Sequence, residues 1–145
     1  MRSITKQILS GTLLLTALAF TLALTSCEKK AQPSPEGAWV ITSVDDLVIA
    51  DLTPENTPTL NIDLTENKAW GNLSCNIFNA PVTCTPERGE LKLGVMAVTR
   101  MLCQDMAIED ALEPALGEID HYAIKEDGTL ELYTGSRLRI RLSKE

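Results

Sequence analysis

Alternation of apolar and polar residues is the feature that most limits how this chain can fold. The stretch "TLNIDLTE" places Leu60, Ile62 and Leu64 on one side of an extended chain and polar residues on the other. The C-terminal "RLRIRL" (137–142) repeats the pattern. Because successive side chains of a strand point to opposite faces, both stretches are predicted to be strands with one buried and one solvent-exposed face.

Turn residues between such stretches predict antiparallel neighbours. Residues 134–136 (Thr-Gly-Ser) lie between two alternating runs and predict a hairpin. Asp127-Gly128 predicts a second turn just before it, and Asn67-Lys68 a third one after "TLNIDLTE". "AWVITSV" and "LKLGV" are further strand candidates. The expected sheet is therefore built mainly from hairpins.

One segment, "DMAIEDALEPALGEI" (105–119), has a different period. Ile108 and Leu112 begin an apolar series at helical spacing. Pro114 is expected to kink or end the helix, and Gly117 is a candidate terminator. The predicted fold class is mainly β: a small antiparallel, barrel-like sheet with one helix packed against it.

The N-terminus has the character of an export signal. Arg2 and Lys6 precede an apolar run over 8–24, and small residues follow it. The alternative is a membrane-spanning anchor, but a run of about seventeen residues is short for a span. Residues 1–26 are therefore predicted to be a signal peptide that is removed on export.

The end of this segment, "LTSC" (24–27), resembles the bacterial lipobox. That resemblance implies cleavage before Cys27 and its lipidation with acyl chains such as palmitate, which would anchor the protein to a membrane without a spanning segment. Glu28 is not the aspartate that retains lipoproteins at the inner membrane of enteric bacteria. The expected location is the cell envelope, at the outer membrane facing the periplasm.

Charge limits the partners of the mature chain. The sequence has 13 basic and 20 acidic residues, a formal net charge of -7. Loss of Arg2 and Lys6 leaves 11 basic residues and a net charge of -9. Such a chain repels phosphate backbones, so nucleic acid is not an expected partner, whereas a basic protein partner is allowed.

The exported part is predicted to contain one domain. "EKKAQPSPEG" spans the first ten residues after the lipobox cysteine, is polar and contains two prolines. Residues 27–36 are therefore predicted to be a lipidated tether. The remaining residues, 37–145, are about enough for a single domain.

Several motifs together resemble the META domain family of small secreted or lipid-anchored bacterial proteins. The opening strand "GAWVITSV", the core "GNLSCNIF", the segment "TRMLC" with a following helix that carries Glu109, and the strand "GTLELY" occur in the family's order. The residues at the motif positions are Trp39, Gly71, Asn76, Phe78, Thr99 and Met101. Ser74 and residues 79–81 depart from the family pattern.

This resemblance implies a barrel-like fold with one helix and no catalytic activity, and no cofactor is predicted. It also places Cys75 and Cys103 in the two signature segments and so implies a disulfide between them. Cys84 is not part of the pattern, and pairing of Cys84 with either neighbour, or three free thiols, are the alternatives. The family's biochemical role is largely unassigned, with links to heat-shock and envelope-stress behaviour.

Metal binding and catalysis are the alternatives to these structural roles. Cys75, Cys84, Cys103 and His121 have no closely spaced pair of the kind that structural zinc sites use, so no metal is predicted. His121 is the single histidine and is expected to lie on a strand at the sheet edge or surface. No enzyme is therefore predicted.

Two groups of residues carry further expectations. Trp39, Trp70 and Phe78 are predicted to lie in the core, and the low aromatic content argues against a stacking platform for sugars or single strands. Asn76 is predicted to shape a turn. The arginines at 137, 139 and 141 form a stripe that either pairs with acids such as Glu131 or presents an interaction edge to a protein or lipid headgroups.

The sequence thus predicts a non-enzymatic, lipid-anchored envelope protein with an accessory or interaction role, involved in the envelope stress response, whose protein partner is unidentified. The alternative is an inhibitor of a basic wall-degrading enzyme, similar to lysozyme inhibitors, or a binder of a small apolar ligand.

Overall fold

The computed structural model describes residues 31–52 and 54–145, which form ten strands and one α-helix. A single turn of 3₁₀-helix, Ile49–Asp51, follows the second strand. The strands and the helix are β1 (Gly37–Val44), β2 (Leu47–Val48), β3 (Thr59–Asp63), β4 (Lys68–Asn72), β5 (Ile77–Thr85), β6 (Glu90–Leu93), β7 (Ala97–Val98), α1 (Ala107–Glu118), β8 (His121–Ile124), β9 (Leu130–Thr134) and β10 (Arg137–Lys144).

Eight of these strands close into an antiparallel barrel. Their order is β1-β3-β4-β5-β6-β8-β9-β10, and β10 pairs back onto β1, with Ile41 opposite Leu142. The seam between β6 and β8 has the shortest register, Glu90 opposite His121. The short strands β2 and β7 add to β1 and β5 outside this circuit. The predicted barrel-like, mainly β fold is confirmed.

All three predicted turns join antiparallel strands. The turn between β3 and β4 uses Asn67 at a φ of 51°, and the turn between β9 and β10 uses Gly135 at 57°. Asparagine and glycine tolerate this left-handed backbone better than other residues, which is why the sequence marks these positions.

The interior of the barrel is filled by aliphatic side chains. Inward residues alternate along each strand; in β3, for example, Leu60 and Ile62 are buried between partly exposed neighbours. These side chains form one continuous cluster with the apolar face of the helix. The largest fully buried members include Ile41, Leu73, Leu91, Leu112, Leu116, Leu130, Leu132, Ile140 and Leu142.

The helix lies across one end of the barrel. It contacts β6 on one wall and β1 and β10 on the opposite wall. The expectation that Pro114 kinks or ends it is wrong in part, because α1 continues through Pro114 and Gly117 to Glu118. A proline in a helix interior costs about 3 kcal/mol. Full burial of Ala115 and Leu116 just after it offsets that loss.

Residues 32–36, which the sequence assigns to the tether, pack against the barrel. The Tyr122 hydroxyl donates a hydrogen bond to the Pro33 carbonyl at 2.9 Å, and the Trp39 indole donates one to the Pro35 carbonyl at 2.8 Å. These residues therefore belong to the folded unit. The predicted signal peptide and the lipidation site Cys27 lie outside the described residues. Within the described ranges, no helix is long and apolar enough to span a membrane.

Candidate functional site

The signature residue Asn76 is buried just before β5, and both the oxygen and the nitrogen of its side-chain amide form hydrogen bonds. Its Oδ1 accepts hydrogen bonds from the Thr99 hydroxyl at 2.8 Å and the Met101 backbone N–H at 2.7 Å. Its Nδ2 donates to a Glu109 carboxylate oxygen at 2.8 Å and to the Met101 carbonyl at 3.1 Å. A primary amide can make four such bonds, so this side chain is saturated.

Glu109 completes this arrangement from the helix. It is 2% exposed, and its second carboxylate oxygen accepts the Asn76 backbone N–H at 2.8 Å. Both oxygens are thus engaged by Asn76, the residue just before β5. We call Asn76, Thr99, Met101 and Glu109 the Asn76 cluster. Its groups hold the start of β5, the 99–106 loop and α1 together and leave no free nucleophile or base.

A disulfide fastens the same loop. Cys75 and Cys103 are bonded, with a Cα–Cα distance of 6.0 Å, as the family resemblance implied. The 99–106 loop is therefore held covalently at Cys103 and by hydrogen bonds at Met101. The Met101 side chain itself is 55% exposed, so its backbone provides the contact to Asn76.

The prediction that Asn76 shapes a turn is wrong. The residue with a left-handed backbone here is Ser74, at a φ of 97°, and Asn76 binds partners 23 to 33 positions away. Sequence reasoning misses this because such distant hydrogen bonds depend on how the strands and the helix pack.

The other signature positions support the core. Trp39 and Phe78 are each 2% exposed, as predicted. Gly71 lies where β4 approaches β3 closely: a Cβ built there would be 1.9 Å from the Thr59 carbonyl oxygen. Only glycine leaves room for that backbone.

The remaining candidates for chemistry do not converge. Cys84 is free and partly buried, and burial raises the pKa of its thiol, which lowers the thiolate fraction at neutral pH. His121 is partly exposed, with Nδ1 2.7 Å from an Asp120 carboxylate oxygen. Among the described residues, no group of three or more His, Cys, Asp or Glu side chains could hold a metal ion.

The expected arginine stripe is broken by a bulge. The register of β10 shifts between Leu138 and Ile140, and Arg139 is only 8% exposed. It pairs with Asp45 and Glu118. The arginines at 137 and 141 pair with Asp45 and Glu131, the latter as predicted. All three guanidinium groups are therefore engaged, and the stripe offers no free basic edge.

Glu131 also accepts a hydrogen bond from Tyr133, and this leads to a prediction for alkaline pH. Burial, and then the Glu131 carboxylate, raise the pKa of Tyr133 to about 12, and burial also raises the pKa of Tyr122. The chain has two tyrosines. We expect ultraviolet titration to show almost no tyrosinate in the folded protein near pH 10, where tyrosines of the unfolded chain are about half ionised.

The raised pKa of Tyr133 also makes the stability of the folded protein depend on pH. A raised folded-state pKa stabilises the protein fully below the unfolded value of about 10, and this contribution is lost as the pH rises through about 12. Titration in urea is the control and should recover ordinary tyrosine behaviour. Normal titration of both tyrosines in the folded protein would contradict the assigned burial.

The largest departure from expectation is Trp70, which is 41% exposed rather than in the core. Along β4 the inward positions are taken by Ala69 and Gly71, so Lys68, Trp70 and Asn72 face outward. An exposed indole leaves a large apolar surface in water and marks a candidate binding surface.

Polar side chains surround this indole. Asn61 on β3 and Asn79 on β5 lie directly opposite Trp70, one on each side. Ile77, which is 56% exposed, lies further along the same face. A groove of about 700 Å³ runs over this surface. We call the part of this surface around the indole the Trp70 face and define it by Thr59, Asn61, Trp70, Asn72, Ile77 and Asn79.

The amides of this face are largely unused. The Asn79 side chain has no hydrogen-bond partner among the described residues. Asn61 reaches only the Trp70 carbonyl, through Nδ2 at 3.4 Å, and Asn72 accepts one bond from the Ser74 N–H. Asparagine is depleted in strands. Three of them around one exposed tryptophan leave donors and acceptors open to a ligand.

Comparison with known proteins agrees with this fold. Residues 32–145 match the model of the META domain. The chain is similar to an NMR structure of a protein from Burkholderia xenovorans, with 20% identity and a TM-score of 0.59 over 76% of this chain and 82% of that one. A second NMR structure has 20% identity and a TM-score of 0.57, over 74% and 88%. At this identity the likeness shows the fold alone. No curated protein matches significantly.

Proposed function

Because the chain belongs to the META domain family, which has no known catalytic role, we propose that it is a non-enzymatic binding domain of the bacterial cell envelope. In this proposal, lipid at Cys27 anchors it to the outer membrane, facing the periplasm, where it acts as an interaction domain in the envelope stress response. The signal-like N-terminus, the "LTSC" motif and Glu28 support the anchor and the sorting.

The observation that carries the proposal is the contrast between the two polar groups of residues. The Asn76 cluster is buried and saturated by its own hydrogen bonds, so it serves the fold. The Trp70 face is open to solvent, and one of its amides has no partner among the described residues. A binding function therefore belongs on the outer wall formed by β3, β4 and β5.

Site-specific photo-cross-linking in intact cells tests this assignment. A photoreactive residue placed at Ile77 is expected to give an adduct with an envelope component, because this side chain lies within the groove. Val48 on β2 is the matched control: it is also an exposed β-branched residue, at 49% against 56%, and it lies outside the groove. The Cys27→Ala variant should leave the membrane fraction.

Equal adduct yields from both positions, or none from Ile77, would show that the Trp70 face is not the binding surface. Membrane fractionation that does not depend on Cys27 would contradict the lipid anchor.

A second candidate, inhibition of a basic wall-degrading enzyme, is supported by the net charge of -9 of the mature chain. Such a complex should form with lysozyme at low ionic strength and weaken with salt. Failure to co-elute with lysozyme at low salt would rule out this version. Binding of a small apolar ligand inside the barrel is not proposed, because core side chains fill the interior.

A further inference from the structure

The chemistry of the Trp70 face narrows the class of its ligand. A sugar ring has an apolar face of C–H groups and a rim of hydroxyls. The indole of Trp70 offers a flat apolar surface, and the amides beside it both donate and accept hydrogen bonds. The low aromatic content argues against a platform of several rings, but the exposed indole of Trp70 offers a single stacking surface. We infer that the Trp70 face binds a neutral oligosaccharide. This inference rests on the proposed function and specifies its ligand.

The size of the surface agrees with this class. Neighbouring strands lie about 4.8 Å apart, so Asn61 and Asn79 stand roughly 10 Å apart across Trp70, one strand to each side. That spacing sets one amide on each neighbouring strand, so a ligand of sugar size in contact with the indole can reach either of them. The groove volume of about 700 Å³ falls within the ordinary range of small-ligand sites and leaves room for adjoining units.

Charge favours a neutral ligand. Lys68 is the one cationic side chain lining the groove in the described structure, and Asp63 and Glu66 lie beside it at the same end. A phosphate or an acidic polymer would find one ammonium group there against two carboxylates in a chain that is acidic overall.

The topology disfavours an extended peptide. Over the groove, β3 and β4 are each paired on both sides, and β5 is paired with β4 on one side and β6 and β7 on the other. No free strand edge is therefore available for a peptide to add to within this part of the described structure. On the Trp70 face itself, the side-chain groups that could bind a ligand are the three amides and the Thr59 hydroxyl, whose oxygen also accepts the Asn72 backbone N–H at 3.3 Å. Such groups suit hydroxyl-rich ligands.

Asn79 on β5 is an unusual residue for its position, and this supports a role in ligand binding. Asn79 is exposed, makes no side-chain hydrogen bond within the described structure and occupies a strand position that threonine would fill more favourably. The Asn79→Thr variant should therefore unfold at the same or a higher urea concentration. If the amide serves a ligand, the same variant should bind several-fold more weakly.

Tryptophan fluorescence gives a direct binding readout. The chain has two tryptophans, and Trp39 is 2% exposed with its indole N–H bonded, so a ligand-induced change reports Trp70. The full chain in a sugar-free detergent would be titrated with cellotriose, maltotriose and tri-N-acetylchitotriose, with calorimetry as a second readout. We expect saturable binding of at least one of the three.

Variants assign the binding to this face. Trp70→Ala, followed by calorimetry, should weaken binding by at least about tenfold, the effect of losing an aromatic stacking contact. Leu102→Ala is the control, because Leu102 is 97% exposed and lies outside the groove; it should bind as the unaltered chain does. Unchanged affinity in Trp70→Ala would overturn the inference.

The outcomes separate this inference from the proposed function. A protein adduct from Ile77 without binding of any of the three sugars would overturn the oligosaccharide and leave the proposed function standing. Absence of both adduct and sugar binding would contradict the two together. Sugar binding that is lost in Trp70→Ala and reduced in Asn79→Thr, with stability retained in both, is the result that we expect.

Discussion

The Asn76→Asp variant is expected to lose about 3–5 kcal/mol of unfolding free energy, the usual loss when a buried charged group, here Glu109, is left without its partner. The substitution replaces the amide that donates to Glu109 and Met101 with an oxygen that can only accept. Two carboxyl groups then face each other in a site where both residues are at most 2% exposed. Because domains are stable by about 5–15 kcal/mol, urea unfolding should show a large shift in midpoint.

Two further variants make this result specific. Asn79→Asp introduces the same change at an exposed position without a side-chain hydrogen bond in the described structure and should alter the stability by less than about 0.5 kcal/mol. In the Asn76→Asp/Glu109→Gln double variant, the introduced glutamine amide can donate to the introduced carboxylate, so part of the loss should be recovered. Equal stability of Asn76→Asp and Asn79→Asp would show that the Asn76 cluster does not hold the fold.

Removal of the disulfide is the second large effect. Cys75 and Cys103 are 28 residues apart in the sequence, and the entropic model gives about 3.5 kcal/mol for closing a loop of that length. The Cys75→Ala/Cys103→Ala variant should therefore unfold at a clearly lower urea concentration. Reduction of the unaltered chain should have the same effect, whereas Cys84→Ala, which removes a free thiol, should change the stability much less.

Unchanged stability on reduction would show that the 99–106 loop is held without the bond. The Asn76 cluster fastens the same loop at Met101. The losses from the Asn76 and disulfide variants should therefore not be additive, because either break releases the same segment.

The sequence predicts the barrel well because the strands and turns are determined by residues that are close together in the chain. The alternation over residues 60–64 and 137–142 requires strands with one buried face, and turn residues such as Gly135 mark where they reverse. Burial then follows the alternation, as the inward Leu60 and Ile62 show. These features depend on neighbours a few positions away, which the sequence displays directly.

The features that the sequence does not predict depend on contacts between residues far apart in the chain, or on an irregularity within a strand. Arg139, at the bulge in β10, is buried by its ion pairs with Asp45 and Glu118, although Arg137 and Arg141 on the same strand stay exposed. Pro114 remains in the helix because the buried face continues beyond it. The partners of Asn76, at Thr99 and Glu109, come together only when the barrel and the helix have packed.

The candidate site escapes prediction for a simpler reason. Residue type alone places Trp70 in the core. The local pattern "KAWGN" indicates the opposite. In a strand, Lys68, Trp70 and Asn72 lie on one face, and the small residues Ala69 and Gly71 lie on the other. The inward positions of β4 hold small residues, because β3 approaches so closely at Gly71 that a Cβ there would collide with its backbone. The large side chain of Trp70 therefore lies on the outer face of β4.

Photo-cross-linking from Ile77, repeated with Trp70→Ala in the same chain, decides whether the Trp70 face is the functional surface. We predict that the adduct disappears while the protein level and the urea midpoint stay unchanged, because Trp70 lies on the outer wall and contributes little to the core. An adduct that persists at full yield without the indole would contradict the claim that the Trp70 face is the functional surface of this protein.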